Sequence, residues 1–232
     1  MKSFSEFITE SNSSGCTRFY TGEPLETGGT SIAGDVAPPI RDLFKKGVIK
    51  QGDTILDYGA GKYGRNANWL REQGCNVFAF DPYNGKTSDG WEGVSSQKPK
   101  NVPHSLKFDI VFSAYVLNVV PEHVESGILQ DIKRYKGDAK EFHITRNKDI
   151  FDSVKNALAR GEKTVTNFFK RHFMEQDEAT ASVTIDDLSD DLIREFCCFG
   201  VQTSRGFQRI PFLESKGFKL MRSTGGFKVY TR

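Results

Sequence analysis

Long apolar runs, a disulfide framework and a surplus of one charge are all missing from this sequence. No stretch approaches the ~18 consecutive apolar residues that a membrane helix needs, so no membrane association is expected. Met1 to Glu10 (MKSFSEFITE) has no apolar centre of secretory length, and a cytoplasmic location is expected. The four cysteines, Cys16, Cys75, Cys197 and Cys198, contain no CxxC pair. Neither a zinc site nor any other metal is expected from them, and they read as free thiols. Lys and Arg number 32 against 30 Asp and Glu, a net charge of +2 that does not by itself argue for nucleic acid.

What is present is a chain of 232 residues, 37% hydrophobic and 27% charged, a composition that excludes disorder and collagen-like repeats. Residues 1 to 34 are rich in Ser, Thr and Gly and read as a leader and extended arm; residues 35 to 232 read as one domain. Pro38 and Pro39 suit a helix start, with Ile40, Leu43 and Phe44 on one face and a stop at Gly47. Thr54 to Leu56 and Val77 to Phe80 read as buried strands around a helix from Asn66 to Gln73. Tyr83 to Leu106 is turn-rich and predicts only a poor strand, whereas Asp109 to Leu117 (DIVFSAYVL) predicts the central strand. Pro121 opens a helix, and Glu141 to Thr145 is the next strand.

Strands alternating with helices imply an α/β, Rossmann-like, doubly wound sheet that is mostly parallel. Residues 149 to 204 break the alternation with two helical stretches, the second capped by Ser189, and read as a helical insertion or cap. Phe218 to Arg222 and Phe227 to Thr231 flank Ser-Thr-Gly-Gly and predict a C-terminal antiparallel hairpin.

Between the first strand and the second helix lies Asp57-Tyr58-Gly59-Ala60-Gly61-Lys62-Tyr63-Gly64. Gly59 and Gly61 let the backbone bend sharply and approach a ligand. Gly59, Gly61 and Gly64 also satisfy the weak GxGxxG dinucleotide pattern, so the neighbouring residues must choose the ligand. Asp57, two residues before the first glycine, would attract the ammonium and sulfonium charges of S-adenosylmethionine and repel a pyrophosphate. Asp81 ends the second strand, where a carboxylate can accept hydrogen bonds from ribose hydroxyls of either cofactor. Tyr58, Pro82 and Tyr115, at the ends of the first, second and central strands, complete the expected cofactor wall.

These segments resemble class I S-adenosylmethionine-dependent methyltransferases over roughly residues 36 to 147 and 205 to 232. The resemblance implies that Asp57 supports the methionine end, that Gly59 and Gly61 form the loop, and that Asp81 holds the ribose. A narrower likeness runs through TSIAGDVAPPIRDLFKKGVI, DTILDYGAGKYGRNANWL, FDPYN, SAYVLNVVPE and VQTSRGFQR. It is to methyltransferases found beside DNA phosphorothioation genes. The first ten residues carry Phe4, Phe7 and Ile8 on one helical face and end in Ile8-Thr9-Glu10. They resemble the capsid-targeting leader of internal head proteins in large tailed bacteriophages, which implies a capsid or scaffold partner, cleavage before Ser11 and a place inside the virion.

For the reaction, SAYVLN at the central strand end is not the DPPY motif of amino-group DNA methylation. No cysteine has the setting of a carbon-5 nucleophile either. Asn118 could orient an acceptor or cap the next helix, and His143 could serve as a base or be a packed core residue. Arg205, Gln208 and Arg209 in QTSRGFQR suit contact with a phosphate or carboxylate of the substrate. From Gly200 to Arg232 seven basic residues face one acid, Glu214, a polarity that could place nucleic acid on the C-terminal side. The expectation is therefore methyl transfer to an unidentified acceptor, with nucleic acid a candidate. The competing expectations are a noncatalytic protein that binds DNA or a host factor, and a nicotinamide-dependent oxidoreductase.

Overall fold

A computed structural model describes residues 34–99, 107–174, 188–204 and 206–232. The leader and most of the arm fall outside them, and so does Arg205. In chain order the elements are helix α1 (Pro38–Lys45), strand β1 (Thr54–Tyr58), α2 (Arg65–Glu72), β2 (Asn76–Phe80), β3 (Ile110–Ala114), α3 (Glu122–Lys136) and β4 (Lys140–Arg146). The insertion supplies α4 (Asp149–Ala159), α5 (Lys163–Met174), α6 (Asp190–Phe199) and the short strands β5 (Val201–Thr203) and β6 (Gly206–Gln208). A 3-10 turn at Glu214–Lys216 leads to β7 (Lys219–Ser223) and β8 (Phe227–Thr231).

The main sheet has the order β2-β1-β3-β4-β8-β7. β1 pairs in parallel with both β2 and β3, β3 is parallel to β4, and β8 runs antiparallel to β4 and β7. This is the doubly wound, mostly parallel architecture with a closing antiparallel hairpin that the sequence predicts. Because the chain leaves β1 for β2 on one side and later returns to β3 on the other, the carboxyl ends of β1 and β3 part at a topological switch point. A crevice must open there.

Covered on both faces, the central strands are apolar along their length. Ile55, Val77, Ala79, Ile110, Phe112 and Ile144 pack against Ile40 and Leu43 of α1 and Ala67 and Leu70 of α2. On the other face Leu56, Tyr58, Phe78, Phe80 and Val111 meet Ile132 of α3. Each such fully buried aliphatic or aromatic side chain contributes roughly 1.5–3 kcal/mol, so this double layer is what holds the strand ends rigid enough to shape a site.

Expectations for three segments need correction. No strand forms in 83–99 among the described residues; Phe80 and Ser95, and Thr87 and Ser95, make only isolated bridges. Turn-forming residues there prevent a ladder, and Arg71 supplies what the ladder would have: its guanidinium donates to the carbonyls of Val77, Gly90 and Gly93 at 2.7–3.2 Å. The central strand is also shorter than the apolar run, ending at Ala114 because Tyr115 turns to φ 61°.

The insertion has three helices instead of two, with a core of its own. Ile150, Val154, Val165, Phe169, Ile193, Phe196 and Val201 are buried together, and Phe169 meets Phe196 edge to face at 5.1 Å. Ser189 caps α6 by accepting the Leu192 amide at 3.2 Å. Cys75 and Cys197 are buried free thiols, and burial pushes the Cys197 thiol up to about 12. Among the described residues no helix is long and apolar enough to cross a membrane.

Candidate active site

The crevice at the switch point is a cavity of about 480 Å³, a size suited to a small-molecule ligand. Gly59, Gly61, Asp81, Tyr115, Asn118 and Gln208 all line it. One wall is the glycine loop. Gly59 has φ 86° and Gly61 φ 70°, a region that side chains other than glycine rarely enter.

The loop amides do not project into the crevice as a phosphate cradle would. Gly59 and Ala60 both donate to the Phe80 carbonyl, at 2.7 and 2.9 Å, and Gly61 donates to Asp81 Oδ2 at 2.9 Å. Asp81 Oδ1 accepts the amides of Tyr83 and Asn84 at 3.0 and 2.8 Å. Asp81 therefore stitches the glycine loop to the turn after β2, and Oδ2, with one bond accepted, keeps a lone pair for a ligand hydroxyl. Pro82 and Tyr83 extend this wall.

Asp57 lies beneath the crevice and does not form part of its wall. It is fully buried on β1, and neither carboxylate oxygen has a hydrogen bond of ordinary geometry. Burial raises its pKa to about 8; Arg71 and the Ala67 amide at the start of α2 offset this only in part, and Asp81 adds to it. Tyr58 is in the wall, but its hydroxyl donates to Asp131 of α3 at 2.6 Å. Its ring packs edge to face on Phe80 at 5.0 Å, in the core on the α3 side of the sheet. Tyr115 is the one non-glycine residue with positive φ among the described residues, a strained backbone at the mouth of the crevice.

The opposite end of the crevice is built where β4 meets the insertion. Asn118 is 1% exposed; its backbone carbonyl accepts the Arg209 amide at 2.7 Å, and its Nδ2 has no partner. Arg146 donates from Nε to Asp149 Oδ2 at 2.6 Å and from Nη1 to Gln208 Oε1 at 2.9 Å. Neither Arg146 nor Asp149 is assigned a role from sequence alone. Their signal was an acid three residues after an arginine, at the first turn of a helix.

Other expected site residues go elsewhere. His143 does not reach the crevice: it is fully buried, with Nδ1 2.8 Å from Ser113 Oγ and Nε2 2.9 Å from Glu141 Oε1. The order Ser113, His143, Glu141 has the connectivity of a nucleophilic triad, yet all three are sealed in the core. Phe218 packs edge-on against the imidazole at 4.9 Å, and Lys136 and Arg232 pair with Glu141. Replacing His143 by leucine is thus expected to cost about 2–3 kcal/mol, because Ser113 and Glu141 lose a buried partner. Thermal unfolding should show a fall of roughly 5–10 °C, with affinity for S-adenosylhomocysteine unchanged.

Arg209 is likewise absent from the crevice lining. It is 3% exposed, with Nη2 on Glu125 of α3, which Lys216 also reaches, and with Nε and Nη1 buried without a partner. Arg222 pairs with Asp42 and Arg232 with Glu141. Of the seven basic residues after Gly200, four are thus tied to acids of α1, α3 and β4. The physical reason is distance in sequence: those acids lie far upstream, so a local charge count misses them.

A doubly wound sheet with a glycine loop, and an acid at the end of the next strand, defines a Rossmann-like nucleoside-binding fold of the methyltransferase type. The chain belongs to the methyltransferase-domain family, whose model matches residues 32–177. Among solved structures it is similar to the 1,6-didemethyltoxoflavin-N1-methyltransferase of Burkholderia thailandensis at 13% identity. That match covers 98% of this chain and 84% of the other, with TM-score 0.48. It is also similar to an S-adenosylmethionine-dependent methyltransferase from Aquifex aeolicus at 17% identity, over 83% and 87% of the two chains, with TM-score 0.41. No curated protein matches.

Proposed function

We propose that the crevice binds S-adenosylmethionine and that the protein transfers its methyl group to an acceptor held against Asn118, Arg146 and Gln208. The carrying observation is the fate of the glycine-loop amides. Gly59, Ala60 and Gly61 all donate within the protein, one of them to a carboxylate in the wall, and a second carboxylate lies just below. A pyrophosphate would find no free amides there and would face the Asp81 carboxylate, whereas a cationic nucleoside would find that carboxylate and favour the ionised form of the buried Asp57 below it. The donor set therefore fits S-adenosylmethionine and speaks against a nicotinamide dinucleotide.

When bound, the cofactor supplies an electrophilic methyl group on a sulfonium, whose S–C bond breaks with its electrons staying on sulfur as an acceptor lone pair takes the carbon. The residues of this chain hold the partners in line. Asp81 accepts ribose hydroxyls, Pro82 and Tyr115 wall the nucleoside, and Asn118 faces the acceptor end. Alignment of this kind supplies most of the acceleration that methyl transfer needs. The reading of a noncatalytic DNA-binding protein loses support from the four basic side chains already paired with acids.

Calorimetric titration with S-adenosylhomocysteine tests this reading. Micromolar binding is expected in the parent protein. Gly61→Arg should abolish it, because the new side chain must leave a φ of 70° and displaces the Gly61 bond to Asp81. Unchanged binding in that variant moves the site elsewhere.

A further inference from the structure

Arg146 does more than close the end of the crevice. Its backbone amide lies 3.5 Å from Asn118 Oδ1, and its Nη1 donates to Gln208 Oε1 at 2.9 Å. A backbone amide and a guanidinium can only donate, so both carboxamides must turn their oxygens toward Arg146. Their NH2 groups are thereby turned away from it. Asn118 Nδ2 is buried without a partner in the crevice wall, and Gln208, which lines the same crevice, has its oxygen engaged by Arg146. Two amides oriented by one arginine are a recognition element, and the buried Asn118 Nδ2 costs free energy that a ligand acceptor would recover.

The charge of the same wall selects the ligand. Arg146 engages both amides, yet its guanidinium is occupied by Asp149 Oδ2, Gln208 Oε1, the Asp149 carbonyl and Ser153 Oγ. Asp149 itself lines the crevice beside it. An anionic group would meet a neutralised arginine and an adjacent carboxylate, and gains little. Val116, Val119, Val120, Val124 and Ile128 make part of the crevice wall aliphatic. An apolar body with an uncharged acceptor at its edge suits this part of the lining.

We propose that Asn118 and Gln208, both oriented by Arg146, form a paired amide-donor site that holds an uncharged, largely apolar methyl acceptor through its carbonyl oxygen or ring nitrogen. This rests on the methyltransferase reading and narrows it. It also replaces the phosphate or carboxylate expected at Gln208 and Arg209, because Arg209 lies outside the crevice lining and Arg146 is paired with Asp149.

Benzamide and benzoate, equal in shape and different in charge, are the probes. Titrated into protein saturated with S-adenosylhomocysteine and followed by ligand-observed NMR, benzamide should bind at least about fivefold more tightly than benzoate. Gln208→Leu and Asn118→Leu should each weaken benzamide about tenfold, the loss of one hydrogen bond in a dry site. Arg146→Lys should weaken it too, by freeing the Gln208 amide to rotate. Uridine and an oligothymidylate distinguish the source of the group. Tighter binding of the oligomer that survives high salt assigns it to a base within a strand, the reverse to a free molecule; either supports the amide pair if the variants weaken it. Tighter binding of benzoate, no binding of benzamide, or indifference to both leucine variants overturns the proposal. Calorimetry with S-adenosylhomocysteine on the same samples separates the two readings: lost cofactor binding in the parent protein strikes the methyltransferase reading. Intact cofactor binding with indifferent benzamide strikes the amide pair alone.

Discussion

Gly59→Ala is expected to lower stability by about 3 kcal/mol and to weaken S-adenosylhomocysteine binding at least about a hundredfold. Two separate penalties combine. A left-handed φ of 86° costs an alanine roughly 1–2 kcal/mol. Independently, a Cβ at this position would stand 2.3 Å from Val116 Cγ2, a contact that real structures do not tolerate. Val116 cannot yield easily, since it is β-branched and follows Tyr115, which is already strained. Displacing it moves the segment that carries Asn118, so the damage spreads from the cofactor wall to the acceptor wall. The two penalties come apart in a double-mutant cycle with Val116→Ala, which should recover the steric part, about half of the loss, and leave the backbone part. A double variant no more stable than Gly59→Ala alone would show that the contact with Val116 is not the cause.

That contact also shows which parts of the molecule can be read from sequence. The glycine loop is legible because its requirements are local: a strand, a bend and a helix within a dozen residues, with glycine where φ is positive. The reason for Gly59 is only half legible. Space for a ligand is a natural inference, but the side chain that forbids a Cβ is Val116, 57 residues further on. The same limit explains Arg209, whose partner Glu125 lies 84 residues upstream, and His143, whose setting depends on a neighbouring strand and on Phe218. QTSRGFQR reads as a loop because its two strands have three residues each, too short for alternation to register, and yet β6 delivers Gln208 to the crevice. Parallel strand order, in contrast, follows from alternating elements and handedness alone.

Stability should fall as pH rises from about 4 to about 8, and Asp57→Asn should remove that slope. The Asp57 carboxyl has a pKa of about 8 in the folded protein against 3.8 ordinarily. Between those values the folded state holds a proton that the unfolded chain releases, so the stabilisation is complete below about pH 4 and is lost as pH rises through about 8. The slope is about 1.4 kcal/mol per pH unit, or about 3 kcal/mol between pH 5 and 7. Groups with depressed values act oppositely and elsewhere. Asp131, held down by Lys98 and Tyr58, and Glu141, held down by His143, Arg232 and Lys136, lose their contribution only as pH falls below the ordinary carboxylate range. Subtracting the Asp57→Asn melting curve from the parent curve at each pH therefore isolates Asp57. The two proteins should be nearly equally stable near pH 4.5, and the variant should gain roughly 6–12 °C on the parent by pH 7. Binding of a cation above the buried carboxyl favours its charged form, so cofactor titrations near pH 7 should release protons in the parent and none from this position in the variant. A difference curve that stays flat from pH 4.5 to 8 would mean that Asp57 is ionised throughout, held by Arg71 and the start of α2, and that its burial carries no proton.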